Sequence, residues 1–156
     1  MDVRVERIPI EEKPVLRNLM ELCRHDFSDF DGSEVSPHGL FGYRYIDNYW
    51  TEEGRYPLFI KVGDKLAGFA LVREIGEAGW ETTHSMAEYF ILRKYRRQGV
   101  GTAAACQVFD MFSGRWSVSQ EELNTAAQAF WQKVIGEYTG GQYTKRQEEK
   151  GPVLEF

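Results

Sequence analysis

Residues 88–109 constrain this chain more than any other stretch. An apolar extended run, Glu88-Tyr89-Phe90-Ile91-Leu92, leads into the glycine turn Arg96-Arg97-Gln98-Gly99-Val100-Gly101, which opens a helix-forming run, Thr102-Ala103-Ala104-Ala105-Cys106-Gln107-Val108-Phe109. The first amides of a helix have no carbonyl partner, and the helix dipole adds partial positive charge there. Glycines remove Cβ atoms, so an anion such as pyrophosphate can approach the backbone closely. Arg96 and Arg97 add full positive charge at the same place. The expectation is a phosphate-bearing ligand held at Arg96, Arg97, Gln98, Gly99, Val100, Gly101 and Thr102.

The spacing fails the two commonest glycine fingerprints. A dinucleotide fold wants G-x-G-x-x-G and an acidic residue closing the next strand; here Ala104 takes the third glycine's place, and Ser117 and Val118 stand where the carboxylate belongs. The Gly-Lys-Ser/Thr of a P-loop is absent. What fits is R-x-x-G-x-G, with Arg96, Gly99 and Gly101. The phrase from Leu92 to Gly101 resembles the pyrophosphate signature of the GNAT superfamily of acetyl-CoA-dependent N-acetyltransferases. The resemblance implies an α+β fold, with a mostly antiparallel, twisted sheet of about seven strands flanked by about four helices. It implies acetyl-CoA as co-substrate.

The 156 residues, 42% hydrophobic and 14% aromatic, suit one domain over 1–156; such a domain buries roughly 70% of its unfolded surface. No apolar run approaches the ~20 residues of a membrane span, and Met1 to Glu6 is charged, without a signal-peptide core. Cys23 and Cys106 have no metal or redox spacing, so we expect a cytoplasmic protein with reduced thiols, no metal and no membrane partner. A net charge of −5 disfavours a nucleic-acid partner and is compatible with a cationic substrate.

Along the chain, Val3 to Ile8 alternates as a strand, and Glu11 to about His25 has a helical apolar face. Asp26-Phe27-Ser28-Asp29-Phe30-Asp31-Gly32-Ser33-Glu34 interleaves carboxylates with aromatics. It reads either as a solvated acidic loop or as an acceptor wall in which Asp26, Phe27, Phe30 and Glu34 hold a cationic amine; the resemblance favours the wall. Calcium fits less well, because the spacing of a calcium loop is missing. A second short helix is expected over Phe41 to Tyr49. Strands follow at Tyr56 to Val62, Leu66 to Ile75 and Trp80 to Leu92, the first two joined by a Gly63-Asp64 turn and the next turn running from Gly76 to Gly79. A strand at Gly114 to Val118 precedes a helix capped by Asn124 or Thr125, with breakers at Gly136, Gly140 and Gly141. Tyr143 to Glu148 and Val153 to Phe156 close the chain as strands around Lys150-Gly151-Pro152. This order of elements is the GNAT order.

For chemistry, an amine with a pKa of about 10.4 must lose a proton before or during attack on the thioester. The resemblance assigns main-chain groups of Phe90, Ile91 and Leu92 to the coenzyme arm, and Asn124, in N-x-x-A-x-x-F, to the same arm; a plain helix cap explains Asn124 equally well. Glu88 is the first choice for general base, against a solvent-facing strand glutamate, with His84 the runner-up. Many relatives place a tyrosine after the phenylalanine of that phrase as acid for the leaving thiolate, but here Trp131 follows Phe130, and an indole cannot relay a proton. Tyr138 or Tyr143 is left to substitute, or the thiolate, with a pKa of about 8.5, leaves unaided. Two readings follow: an N-acetyltransferase of a small, primary, cationic amine, or a catalytically weakened acyl-CoA-binding module for sensing or docking. The aromatic content is compatible with a homodimer.

Overall fold

The computed structural model describes residues 1–76 and 82–156. Seven strands, β1 (Val3–Arg7), β2 (Arg55–Val62), β3 (Lys65–Ile75), β4 (Thr83–Ile91), β5 (Arg115–Ser119), β6 (Thr144–Glu148) and β7 (Gly151–Glu155), form one sheet in the order β1-β2-β3-β4-β5-β7-β6. Neighbours are antiparallel except β4 and β5. The helices are α1 (Lys13–Asp31), α2 (Asn48–Thr51), α3 (Val100–Met111) and α4 (Thr125–Thr139). This is the expected mixed architecture, with α3 as the crossover that a parallel β4-β5 pair requires. The expected turn beyond Gly76 and the expected strand start at Trp80 fall on residues 77–81, outside the described residues.

The sheet has two apolar faces. On one, α3 and α4 bury Val100, Ala104, Val108, Trp131 and Ile135 against Leu58, Ile60, Ala70, Val72 and Trp116. On the other, α1 and the segment around α2 bury Leu16, Met20, Cys23, Ile46 and Tyr49 against Phe59, Phe69, Leu71 and Phe90. Each large apolar side chain so enclosed contributes roughly 1.5–3 kcal/mol relative to exposure.

Boundaries differ from the sequence reading in several places, among them β7, which begins at Gly151 where a turn was expected. Helix α1 continues six residues past His25, to Asp31. Asp26 to Asp31 contains no glycine or proline, and Phe27 prolongs the helical face of Leu16, Met20 and Cys23. The stop comes at Gly32, left-handed at φ 72°, whose N–H donates to the Ser28 carbonyl at 3.0 Å. The expected helix over Phe41 to Tyr49 shrinks to the single turn of α2. The preceding loop is held instead by the Glu21 carboxylate, which accepts the N–H groups of Phe41 (2.8 Å) and Gly42 (2.7 Å). Gly136 stays helical, and α4 ends at Gly140.

One irregularity positions the site. β3 and β4 pair as Leu71 with Glu88 and then Val72 with Met86, so Ala87 is an extra residue, a β-bulge. Strict alternation would put Met86, Glu88 and Phe90 on one face. With the bulge, Met86, Tyr89 and Ile91 join the α3/α4 face, while Phe90 and Glu88 turn to the α1 face. The parallel pairing of β4 with β5 stops at Ser85 and Ser117, immediately before the bulge, and the two strands part. Deleting Ala87 keeps every other β4 side chain on its present face. We therefore expect the deletion variant to fold with a Tm within a few degrees of the parent but to lose the parting of the strands and at least ~100-fold in catalytic rate. Thermal melts beside activity assays check this; an unfolded deletion variant would show that the bulge serves stability instead.

Candidate active site

The glycine turn builds a cradle for an anion. A single turn of 3-10 helix at Arg93–Tyr95 follows β4, and Gly99 caps α3 in the left-handed region, φ 83°. The first helical hydrogen bond runs from Ala103 N–H to the Gly99 carbonyl (3.0 Å), so the N–H groups of Val100, Gly101 and Thr102 have no helical partner. No atom lies within 4 Å of where a Gly99 Cβ would stand, so that side of the turn is open to a ligand. Gly101 serves differently: a Cβ there would meet the Phe130 ring at 3.2 Å, so its absence lets α3 and α4 close together. Arg97, at φ 60°, is held in a conformation that costs a side-chain-bearing residue about 1–3 kcal/mol. It lies exposed on the wall of a cleft of about 820 Å³, with Arg93, Arg96, Thr102 and Lys133. Open glycine, free amides and clustered cations fit a pyrophosphate.

Arg96 is committed elsewhere. Its Nε donates to the Ile91 carbonyl (2.7 Å), and its guanidinium, with that of Arg93 (3.0 Å), grips the Asp26 carboxylate. Asp26 was expected to hold the acceptor amine; it lines the coenzyme cleft and clamps α1 to the glycine turn. Burial pushes its carboxyl upward, but the two arginines outweigh it and hold Asp26 below the ordinary carboxylate range. Gln98 caps locally onto the Lys94 carbonyl (2.7 Å), and the Val100 side chain is core.

The parted edge of β4 forms the floor. Leu92 N–H donates to the Ala67 carbonyl of β3 (2.8 Å). By the alternation of an antiparallel ladder, the N–H of Phe90 also faces β3, and that of Ile91 faces the gap. Of the three expected backbone contributors, only Ile91 points a donor toward the gap. Asn124 caps α4 by accepting Ala127 N–H (3.0 Å) and lies on the wall across the gap. Trp131 packs edge-on against Tyr89 (4.9 Å), whose hydroxyl donates to the Gly101 carbonyl. Tyr138, offered as the acid, is on the last turns of α4, donates to Asp110 (2.6 Å) and lines neither cavity; burial and Asp110 push its phenol up to about 12.

A second cavity, about 850 Å³, opens on the other side of the gap and shares Phe27, Tyr89, Asn124 and Trp131 with the first. Glu88 lies in its wall beside Arg24, Phe27, Asp31 and Tyr43. Burial pushes the Glu88 carboxyl up to about 7; Arg24 and the Tyr43 phenol pull it down, and Asp31 adds to the rise. Phe30 faces the coenzyme cleft, and Glu34 is exposed and lines neither cavity. His84 is buried among Tyr56, Phe112 and Trp116, outside both cavities. The sequence reading did not single out Arg24, Arg55 or Arg73; Arg24 joins Phe27 and Asp31 at i, i+3 and i+7 once α1 is extended, and Tyr43 and Tyr49 line the same cavity. Among the described residues, no group of three His, Cys, Asp or Glu side chains is arranged to hold a metal ion, and no helix is long and apolar enough to cross a membrane.

The Asp26 clamp is testable alone. Asp26→Asn should cost about 1–2 kcal/mol and lower Tm by roughly 3–8 °C at neutral pH. Because the folded-state pKa is depressed, the clamp's contribution is full above the ordinary carboxylate range and is lost as pH falls through the lowered value. Melts of both proteins against pH should therefore converge in acid.

Comparison with known proteins agrees with this geometry. An acetyltransferase from Thermus thermophilus superposes with a TM-score of 0.71 at 14% identity, covering 99% of this chain and 95% of the other. The aminoglycoside acetyltransferase AAC(6')-Ib in complex with coenzyme A gives 0.66 at 13%, covering 99% and 94%. Arabidopsis thaliana Naa50, in complex with the bisubstrate analogue CoA-Ac-MVNAL, gives 0.66 at 15%, covering 100% and 99%. No curated protein matches the chain. The sequence profile of the acetyltransferase (GNAT) family matches residues 16–136, most of the chain and all of the coenzyme loop. The chain belongs to the GNAT acetyltransferase family, acyl-CoA-dependent transferases.

Proposed function

We propose that this enzyme transfers an acetyl group from acetyl-CoA to a primary amine of a small acceptor, with Glu88 as general base. One observation carries the reading: the bulge at Ala87 turns a single carboxylate, with a pKa of about 7, into the acceptor cavity beside the gap that joins it to the coenzyme cleft. Acetyl-CoA supplies the thioester. The free amides of Val100, Gly101 and Thr102, with Arg97, take its pyrophosphate. Ile91 N–H and the Asn124 side chain hold its arm across the gap, and the Ile91 donor is the group suited to the thioester oxygen. Glu88, ionised, takes a proton from the acceptor ammonium directly or through one water, which frees the amine to attack. No phenol from α4 reaches the cavities, so the thiolate leaves without that acid.

Such a site predicts a thermal shift specific to acetyl-CoA. At about a hundred times its dissociation constant the ligand adds roughly 2.7 kcal/mol, a rise of about 5–10 °C, with adenosine diphosphate and NAD as controls. No rise at saturation would overturn the transferase reading. Glu88→Gln should lower kcat/KM by about 10²–10⁴-fold and remove an acid limb near pH 7, since the base works only when ionised. The same variant should be more stable than the parent above pH 7. The raised pKa makes ionisation costly in the folded state, a penalty that is absent below the unfolded value of 4.5 and complete above about 7. Paired pH–rate profiles and pH–Tm curves measure both.

A further inference from the structure

The acceptor cavity is not uniformly acidic: Arg55 and Arg73 line it together with Asp31, Glu88, Glu121 and Glu148. Two arginines stand opposite each other on its floor, Arg55 on β2 and Arg73 on β3, as direct cross-strand partners. Like charges so placed repel and destabilise a sheet. They meet only because the β2-β3 pairing slips by one residue between Ile60 and Lys61; the register set by the Gly63-Asp64 turn would put Val72 opposite Arg55. Both side chains fall on the face of Phe69 and Leu71, and Leu71 is itself the partner of Glu88. The arginine pair therefore lies two residues along the sheet from the proposed base.

Arg55 is fixed for recognition. Its guanidinium lies over the rings of Tyr45 (5.7 Å) and Tyr49 (5.5 Å), and Glu52 accepts from its Nε (2.9 Å), while the side chain lines the cavity. Among the described residues, no carboxylate pairs with Arg73. A second observation concerns the neighbouring tyrosine. Tyr49 is 3% exposed and lines the cavity, and no protein group completes a well-formed hydrogen bond to its hydroxyl, although Tyr43 and Arg55 lie within reach of it. A buried hydroxyl left unpaired is costly, and an oxygen acceptor arriving between Arg55 and Tyr49 removes that cost. Arg146, which also lines the cavity, is already paired with Glu148 and Glu155.

We propose that the acceptor is an aminocarboxylate: a small molecule whose carboxylate is bound by Arg55, Arg73 and the Tyr49 hydroxyl while its amine faces Glu88. This deepens the acetyltransferase reading and rests on it. A planar carboxylate matches the fork of a guanidinium in a way a point charge does not. A bound carboxylate explains why like charges, one half-buried and one exposed, are kept as cross-strand partners in this cavity.

The test is a thiol-release assay with saturating acetyl-CoA over matched acceptors: free amino acids, the same amino acids as carboxamides, polyamines and aminoglycosides. Turnover of a free amino acid, with its carboxamide at least ~10-fold poorer in kcat/KM, is expected. Arg73→Met should raise KM for that amino acid by at least ~10-fold, leave the acetyl-CoA-dependent rise in Tm in place, and leave the unliganded Tm equal or higher, because it relieves the repulsion. A merely structural arginine would instead lower Tm. Turnover confined to polyamines, aminoglycosides or carboxamides, or none with any free amino acid, overturns the inference. A parent protein whose Tm does not respond to acetyl-CoA at all overturns the transferase reading beneath it.

Discussion

The functional geometry depends on the parting of β4 from β5. A continuous sheet would have no room for a ligand between these strands, because each backbone amide would already be paired with its neighbour. Here the parallel pairing lasts three residue pairs and ends at Ser85 and Ser117. Beyond that point the free edge of β4 and the start of α4 face each other across a gap, and the two cavities meet in it. The bulge at Ala87 bends β4 away and also changes which face Glu88 occupies. One extra residue thus makes the opening and aims the carboxylate.

Charge is arranged around that opening in two separate ways. On the coenzyme side, Asp26 commits its carboxylate to Arg93 and Arg96, which ties the end of α1 to the glycine turn and leaves Arg97, Lys133 and the α3 amides for an anion. On the acceptor side, enclosure raises the pKa of Glu88 into the range where it can accept and release a proton near neutrality. The same enclosure holds the phenol of Tyr43 in its neutral form, first by desolvation and then by the nearby Glu88 charge. A neutral Tyr43 phenol beside Glu88 pulls the carboxyl down and does not compete with it for protons.

The fold and the glycine turn that opens α3 were largely legible in the sequence because their signals are local. Alternation marked the strands, a helical apolar face marked α1, and Arg96 to Gly101 marked the turn from strand to helix. The errors were local too. A run of carboxylates was read as a loop where only Gly32 carries a stop signal, and Gly136 was read as a breaker although packing on both sides holds it helical. Asp26 had the right segment and the wrong partner, since a sequence does not show that residues 67 and 70 positions away bring arginines to it.

The chain by itself determined the order of elements and the glycine turn that opens a helix, while its resemblance to the family marked the departure at Trp131 and the choice of Glu88 as a candidate base. The first two follow from residue type and short-range spacing, where covalent connectivity fixes the neighbours. Tertiary structure decided what faces what. The slip at Ile60 and Lys61 brought Arg73 opposite Arg55, the bulge at Ala87 turned Glu88 into the cavity lined by Phe27 and Tyr43, and the packing of α4 took Tyr138 out of reach of both cavities. A side-chain period of two makes each one-residue shift in pairing a change of face or of partner, and such shifts are chosen by long-range packing, which local sequence does not encode.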